Sequence, residues 1–264
     1  MVKKSLGKGK ENFISENRKT EKYLKNQKFK NPKIIEIYKI RGLNENVKNQ
    51  IKIIPKSINQ EKYLLELEDE SKPIVVAVGP AGTGKTLLAT LWAIKGLRSK
   101  KFSKIVISRP NIAVDDKDIG FLPGDILKKM TPWMLPILDI FKEYYSISEL
   151  EDMLKNEIIE ICPIAYIRGR TFKNSVVIID EAQGTTPNSM LSILTRIGEG
   201  SKMIITGDIK QTDRGGDNGL QIFIDKIKSR EGTKHISLVE FNERDIERHP
   251  AVREILELFK DVKI

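Results

Sequence analysis

The stretch "IVVAVGPAGTGKTLLATLWA" (74–93) constrains this chain more than any other. A short apolar run stops at Gly79, turns through glycines, and resumes with helical spacing after Lys85. Gly79-Pro80-Ala81-Gly82-Thr83-Gly84-Lys85-Thr86 fits G-x-x-x-x-G-K-[ST] without deviation. A strand before the loop and a helix after it are what a triphosphate cradle requires. The glycines let backbone N–H groups turn inward around phosphates. Lys85 reaches the β- and γ-phosphates, the Thr86 hydroxyl ligates Mg²⁺, and Leu87 borders the cradle. The helix N-terminus adds a field that favours anions.

From residue 59 the pattern alternates between strands and helices, which predicts an α/β fold with a central, mostly parallel sheet and helices on both faces. Strands are expected at 74–78, 104–108, 158–163, 175–180, 202–207 and 235–240. Helices are expected at 84–99, 124–145, 187–198, 218–229 and 249–260. Pro132 and Pro136 predict a break or kink in the second of these. Before the core, residues 1–33 read as a basic flexible arm. Residues 34–58 read as a small segment against the core, with short strands at Ile35–Ile40 and Ile51–Ile54, and residues 59–264 form the catalytic domain.

Charge sets the arm apart. Residues 1–58 hold 16 Lys and Arg against 5 Asp and Glu, and the remainder holds 30 against 31. Such an arm suits nucleic-acid phosphates, whose binding gains from counterion release. The plainer alternative is a solvated tail from an AT-rich genome. One cysteine, Cys162, excludes an internal disulfide, and two histidines leave no zinc spacing. With no 18-residue apolar run and no apolar signal core, the expectation is a cytoplasmic protein without membrane contact.

A second motif, "VVIIDEAQ" (176–183), ends a buried strand in Asp180-Glu181. A carboxylate there binds Mg²⁺ and its neighbour polarises the attacking water, so Asp180 is assigned to the metal and Glu181 to the general base. An N-cap is the structural alternative for Asp180. Gln183 stands where it can hold the water or the γ-phosphate. In "TGDIKQTD" (206–213), Asp208 can orient neighbouring groups and Gln211 can sense the γ-phosphate. Gln60, in "SINQEKYLLELE" (57–68), carries a carboxamide able to pair with an adenine edge, or is simply an exposed helical Gln. The acid pair speaks against a small-molecule phosphotransferase, which needs a hydroxyl acceptor site instead.

In this order the motifs resemble the PhoH-like family, which is similar to the first motor domain of superfamily 1 helicases. Further matches are "SRP" (108–110), "GFLPGD", "AYIRGRTF", "LTRIGEGSKMIITGD" and "RHPAV", and together they span roughly residues 55–255. The resemblance implies a RecA-like P-loop ATPase, often linked to RNA metabolism and assembled as a hexameric ring. It carries Gln60 to the base, Gly84, Lys85 and Thr86 to the phosphates, Asp180 and Glu181 to Mg²⁺ and hydrolysis, and Gln211 to sensing. Two positions depart from the family pattern: Gly184 stands where Asn is usual, and Arg214-Gly-Gly where Leu is common.

A helicase of that kind binds ATP between two cores, and this chain has room for one. An arginine that meets the developing charge is worth on the order of 10³–10⁵ in rate. Arg196, Arg244 and Arg248 are the candidates to supply it from a neighbouring subunit. Arg109, Arg168 and Arg170 lie at or near strand ends and are candidates for contacts with RNA or single-stranded nucleic acid. The expected function is therefore an ATP-driven, ring-forming motor on nucleic acid, with helicase activity as its narrower form. The alternative is a nucleotide-dependent assembly or regulatory ATPase whose partner is a protein.

Overall fold

The computed structural model describes residues 51–110, 126–211, 218–230, 232–248 and 250–258, without the side chains of 126–133, 250, 253, 256 and 257. The chain divides into two units, Met1–Gln50 and Ile51–Ile264, and the description concerns the second. The flexible arm at 1–33 and the strand expected at Ile35–Ile40 lie outside the described residues.

Six strands form one sheet: β1 (Ile74–Val78), β2 (Lys104–Ser108), β3 (Ile159–Ile161), β4 (Ser175–Ile179), β5 (Lys202–Gly207) and β6 (Ile236–Glu240). Their order is β3-β2-β4-β5-β1-β6. Every neighbouring pair is parallel. Strands buried on both faces need apolar residues at every position, and β1 and β4 are buried throughout. Alternate side chains feed two cores. Val75, Ala77, Ile105, Ile107 and Ile178 meet one set of helices, while Val76, Val78, Val106, Val177 and Ile205 meet the other.

The first face is covered by α1 (Ile58–Glu68), α2 (Lys85–Arg98), α3 (Ile126–Lys142) and α4 (Ile147–Lys155). Tyr63, Trp92, Phe141 and Leu150 are their buried anchors. The second face is covered by α5 (Ile164–Ile167), α6 (Pro187–Leu194) and α7 (Gly219–Lys228), anchored by Ile167, Met190, Ile193, Leu220 and Ile224. A last helix, α8 (Pro250–Leu258), begins with the proline that suits a first helical turn. This is a RecA-like P-loop architecture, in which β5 separates the phosphate-loop strand from the strand that ends in the acid pair.

Two expectations are corrected. No break divides the helix holding Pro132 and Pro136: α3 runs continuously through both. Pro136 is exposed, whereas Met134, Ile137, Leu138 and Phe141 are buried, so packing pins the helix where the hydrogen bond is lost. Nor do Ile51–Ile54 form a strand. Their alternation comes from Ile51 and Ile53 packing on the core while Ile54 faces solvent, with no strand partner. The helix α4 escaped the periodicity reading, although Ser146 and Glu149 form a capping box at its start.

Candidate nucleotide site

Parallel strands bring their carboxyl ends to one edge, so the phosphate loop after β1, the acid pair after β4 and the turn after β5 converge there. A cleft of about 240 Å³ opens between them, lined by Gly82, Gly84, Lys85, Thr86, Asp180 and Glu181, with Ala81, Leu87, Gly207, Asp208 and Gln211. Gly79 and Pro80 face a neighbouring cleft instead, and Thr83 is fully buried with its hydroxyl donating to the Pro80 carbonyl at 2.9 Å.

Lys85 is folded against the loop it follows. Its ammonium donates to the carbonyls of Gly79 and Pro80, each at 2.7 Å, and to Thr83 Oγ1 at 3.2 Å. Burial holds its pKa below the ordinary lysine value, an effect opposed by the carboxylates of Asp208, Glu181 and Asp180. Asp180 is nearly buried, and its Oδ1 accepts from Thr86 Oγ1 at 2.7 Å and from Thr206 Oγ1 at 2.6 Å. The N-cap alternative for Asp180 is thereby replaced by a side-chain link between two strand ends and the phosphate-loop helix. Thr206 stands in the "TGD" motif, but sequence reading passed over its hydroxyl.

The donor set fits Mg²⁺. Among the described residues no group of three or more His, Cys, Asp or Glu is placed to enclose a metal. One carboxylate and one hydroxyl, Asp180 and Thr86, already converge, and Mg²⁺ is commonly held by one or two carboxylates with phosphates and waters completing the shell.

Glu181 sits in the left-handed region at φ 54°, at the head of a short 3₁₀ turn over Ala182–Gly184. Its Oε1 lies 3.1 Å from Arg109 Nη2, and its Oε2 accepts from Gln183 Nε2 at 2.6 Å. The side-chain Oε1 of Gln183 accepts from Asp208 N at 3.1 Å. Gln183 thus bridges the acid strand to the turn after β5, rather than facing the cleft alone. Gly207 makes room for it, since a Cβ there would come within 2.8 Å of Gln183 Oε1 and 2.6 Å of Leu220 Cδ2. Gly184, one of the departures from the family pattern, closes the 3₁₀ turn, and Arg214 lies outside the described residues. Gln211 is exposed at the cleft, with its N–H donating to Asp208 O at 3.1 Å.

Gln60 is buried beside the loop, not exposed. Its carboxamide donates to Thr83 O at 3.1 Å and accepts from Lys56 N at 2.8 Å, so it buttresses the turn. Ser57 caps this helix, and Asn59 donates to Asp245 at 2.8 Å, tying α1 to the turn that follows β6.

The arginines separate. Arg248 lies across its own chain's loop: a Cβ on Gly82, whose φ is +84°, would come 2.5 Å from Arg248 Nε. The adjacent Glu247 N–H donates to Gly82 O at 3.0 Å. Arg196 is half-buried at the end of α6, where it donates to Ser192 O at 3.2 Å and Thr195 Oγ1 at 2.9 Å. Arg244 is exposed on the second cleft. Arg109, Arg168 and Arg170 stand in different surroundings. Arg109 is at Glu181, and Arg168 is exposed after α5. Arg170 pairs with Glu160 through both guanidinium nitrogens, the second at 2.9 Å, and lies 4.8 Å from the Phe172 ring centre. That pair, with Lys104, holds the Glu160 carboxyl down at about 2. No described helix is long and apolar enough to cross a membrane.

Comparison with known proteins agrees with this arrangement. The PhoH-like protein pattern matches residues 52–260. The PhoH-like protein of Bacillus subtilis (strain 168) is 40% identical over 206 residues, 77% of this chain and 63% of that protein. That of Synechocystis sp. (strain ATCC 27184 / PCC 6803 / Kazusa) is 38% identical over 207 residues, 78% of this chain and 61% of that one. Protein PhoH of Escherichia coli (strain K12) is 37% identical over 211 residues, 78% and 58%. The chain spans about three fifths of the length of these curated relatives. A Pif1 helicase structure from Candida albicans matches at a TM-score of 0.39 and 18% identity, over 79% of this chain and 44% of that one. The phosphate loop, the acid pair and the family match agree, and the chain belongs to the PhoH-like protein family.

Proposed function

We propose that this chain hydrolyses ATP with Mg²⁺ and uses the cycle to act on RNA or single-stranded nucleic acid, as one subunit of a ring. The observation that carries the hydrolytic half is the 2.7 Å link between Thr86 and Asp180, with Glu181 next in the chain and lining the same cleft as Lys85. Thr86 and Asp180 would hold Mg²⁺, which when bound would neutralise phosphate charge. Lys85 takes the β- and γ-phosphates, Glu181 accepts a proton from water, and Gln211 reads the γ-phosphate. Gln60 reads the base only if it exchanges the Lys56 or Thr83 bond for it.

Support for a nucleic-acid partner comes from charge. The first 58 residues hold 16 basic against 5 acidic side chains. Phosphate contacts of that kind are sequence-independent and fall steeply with salt. The expected result is an ATPase rate that rises on adding poly-uridylate at low salt and loses that rise at moderate salt. A rate indifferent to poly-uridylate and to single-stranded DNA would leave the protein-partner assembly ATPase as the better reading. Helicase activity is the narrower form of the same proposal.

The ring rests on the arginines. With Arg248 already on its own loop, the neighbour's contribution falls to Arg196 or Arg244. A head-to-tail contact of this type closes into a ring when its rotation allows, six subunits being the number the family resemblance suggests. Mixing Lys85→Met subunits, which cannot cradle phosphate, with Arg196→Ala or Arg244→Ala subunits tests it. Activity in the mixture above the sum of the separate proteins is expected for the contributing arginine. No gain with either variant would remove the shared site.

A further inference from the structure

The carboxylate that would accept water's proton is already held at both oxygens. Gln183 holds Oε2 from the buried side, and Arg109 meets Oε1 at 3.1 Å from the partly open side. The pair arises from topology. Ser108 on β2 stands level with Ile179 on β4, so Arg109 leaves the sheet beside Asp180, one residue before Glu181. Gln183 is itself fixed, through Asp208 N, to the turn that carries Gln211. Of the two bonds on Glu181, the one to Arg109 is the more accessible. The Arg109 and Glu181 side chains are 25% and 35% exposed, whereas Gln183 is only 6% exposed. A guanidinium binds carboxylate and phosphate oxygens with the same planar fork, so a phosphate can replace Glu181 in its grip.

We propose that Arg109 is a positioning residue that restrains Glu181, and that hydrolysis quickens when its guanidinium exchanges the Glu181 carboxylate for a phosphate oxygen. The inference rests on the hydrolytic reading above, and no bond to Arg109 is made or broken covalently. The exchanging phosphate has two sources: the γ-phosphate in the adjoining cleft, or a backbone phosphate of a nucleic-acid strand. Either way, the restraint is local to Glu181, and the freed carboxylate turns about its own side-chain torsions while Gln183 keeps the turn in register.

The test uses the full chain with Mg²⁺-ATP, measuring kcat and KM with and without poly-uridylate for wild type, Arg109→Lys, Arg109→Gln and Arg109→Gln/Glu181→Gln. Arg109→Gln should raise kcat without poly-uridylate by about two- to five-fold, the scale of one partly exposed ion pair, with KM little changed. Arg109→Lys, which keeps the charge, should return kcat toward wild type. Set beside Glu181→Gln alone, the double variant should show no gain, because the gain works through Glu181. If poly-uridylate accelerates wild type but not Arg109→Gln, the exchanging phosphate is the strand's. If it accelerates both alike, the strand does not act through Arg109, and the exchanging phosphate is the nucleotide's, displacing Glu181 only in part in the wild type. An Arg109→Gln protein no faster than wild type, or a gain that survives in the double variant, overturns the inference while hydrolysis stands. A wild-type chain that hydrolyses no ATP overturns both.

Discussion

Glu181→Gln should lower ATP turnover by about two to four orders of magnitude, the usual contribution of a positioned general base, with little loss of nucleotide affinity. The substitution is nearly isosteric, so the 3₁₀ turn over Ala182–Gly184 need not move. The phosphate loop is untouched, and Asp180 keeps both of its threonine donors. What disappears is a carboxylate able to take a proton, together with the ion pair to Arg109. Phosphate release under saturating ATP, set beside equilibrium binding of a fluorescent ATP analogue, separates the two effects. A variant that binds tightly and turns over slowly supports the assignment. One that keeps wild-type turnover moves the base elsewhere, and among the described residues the other cleft-lining carboxylates are Asp180 and Asp208.

Lys85→Met should lower kcat/KM by about 10²–10³, as expected for removing one preorganised charge-stabilising donor. The same change should leave the protein without nucleotide at least as heat-stable as wild type. The reason is the burial that holds the lysine pKa below its ordinary value. For a base depressed on folding, the unfolded chain binds more protons between the folded pKa and the ordinary one near 10.5. Stability of the wild type therefore rises with pH through that window, and below it the charged lysine carries its full penalty. A methionine of similar length removes the penalty, although it leaves the Gly79 and Pro80 carbonyls without that donor. Melting curves without nucleotide at neutral and alkaline pH check this. The variant's advantage should be present at pH 7 and shrink as the pH approaches 10. A large drop in melting temperature at pH 7 would instead give the ammonium a net structural role in the loop.

The strands and the meeting of the phosphate loop with the acid pair were legible where the signal is local. Apolar runs in β1, β2, β4 and β5 read correctly because both faces of each strand are buried, and no polar alternation confuses the pattern. The phosphate loop and Asp180-Glu181 stand at strand ends, and a parallel sheet carries such ends to one edge. Pairings across strands were not legible. Nothing in "SRP" reveals that Glu181 emerges beside Arg109. The same holds for Arg170, whose guanidinium is taken by Glu160, ten residues earlier. The place of Arg248 beside Gly82 was not legible either, because the two segments lie far apart in the chain. The burial of Gln60 beside Thr83 was not legible, since it depends on the packing of α1 and not on its neighbours in sequence.

The link between Glu247 and Gly82 also bears on how the protein is made. Strand β1 and its loop belong to the first third of the chain, but both neighbours of β1 in the sheet, β5 and β6, belong to the last third. While a ribosome is still translating the middle of the chain, the loop has neither strand beside it nor Glu247 to bond. Nucleotide therefore cannot template the early stages of folding, since its cradle is among the last parts to be completed. A nascent chain stalled before β6 would leave the edge of β1 unpaired, and such edges invite association with other chains. The basic first segment emerges before any of this, close to ribosomal RNA, while the part that would consume ATP is still unformed.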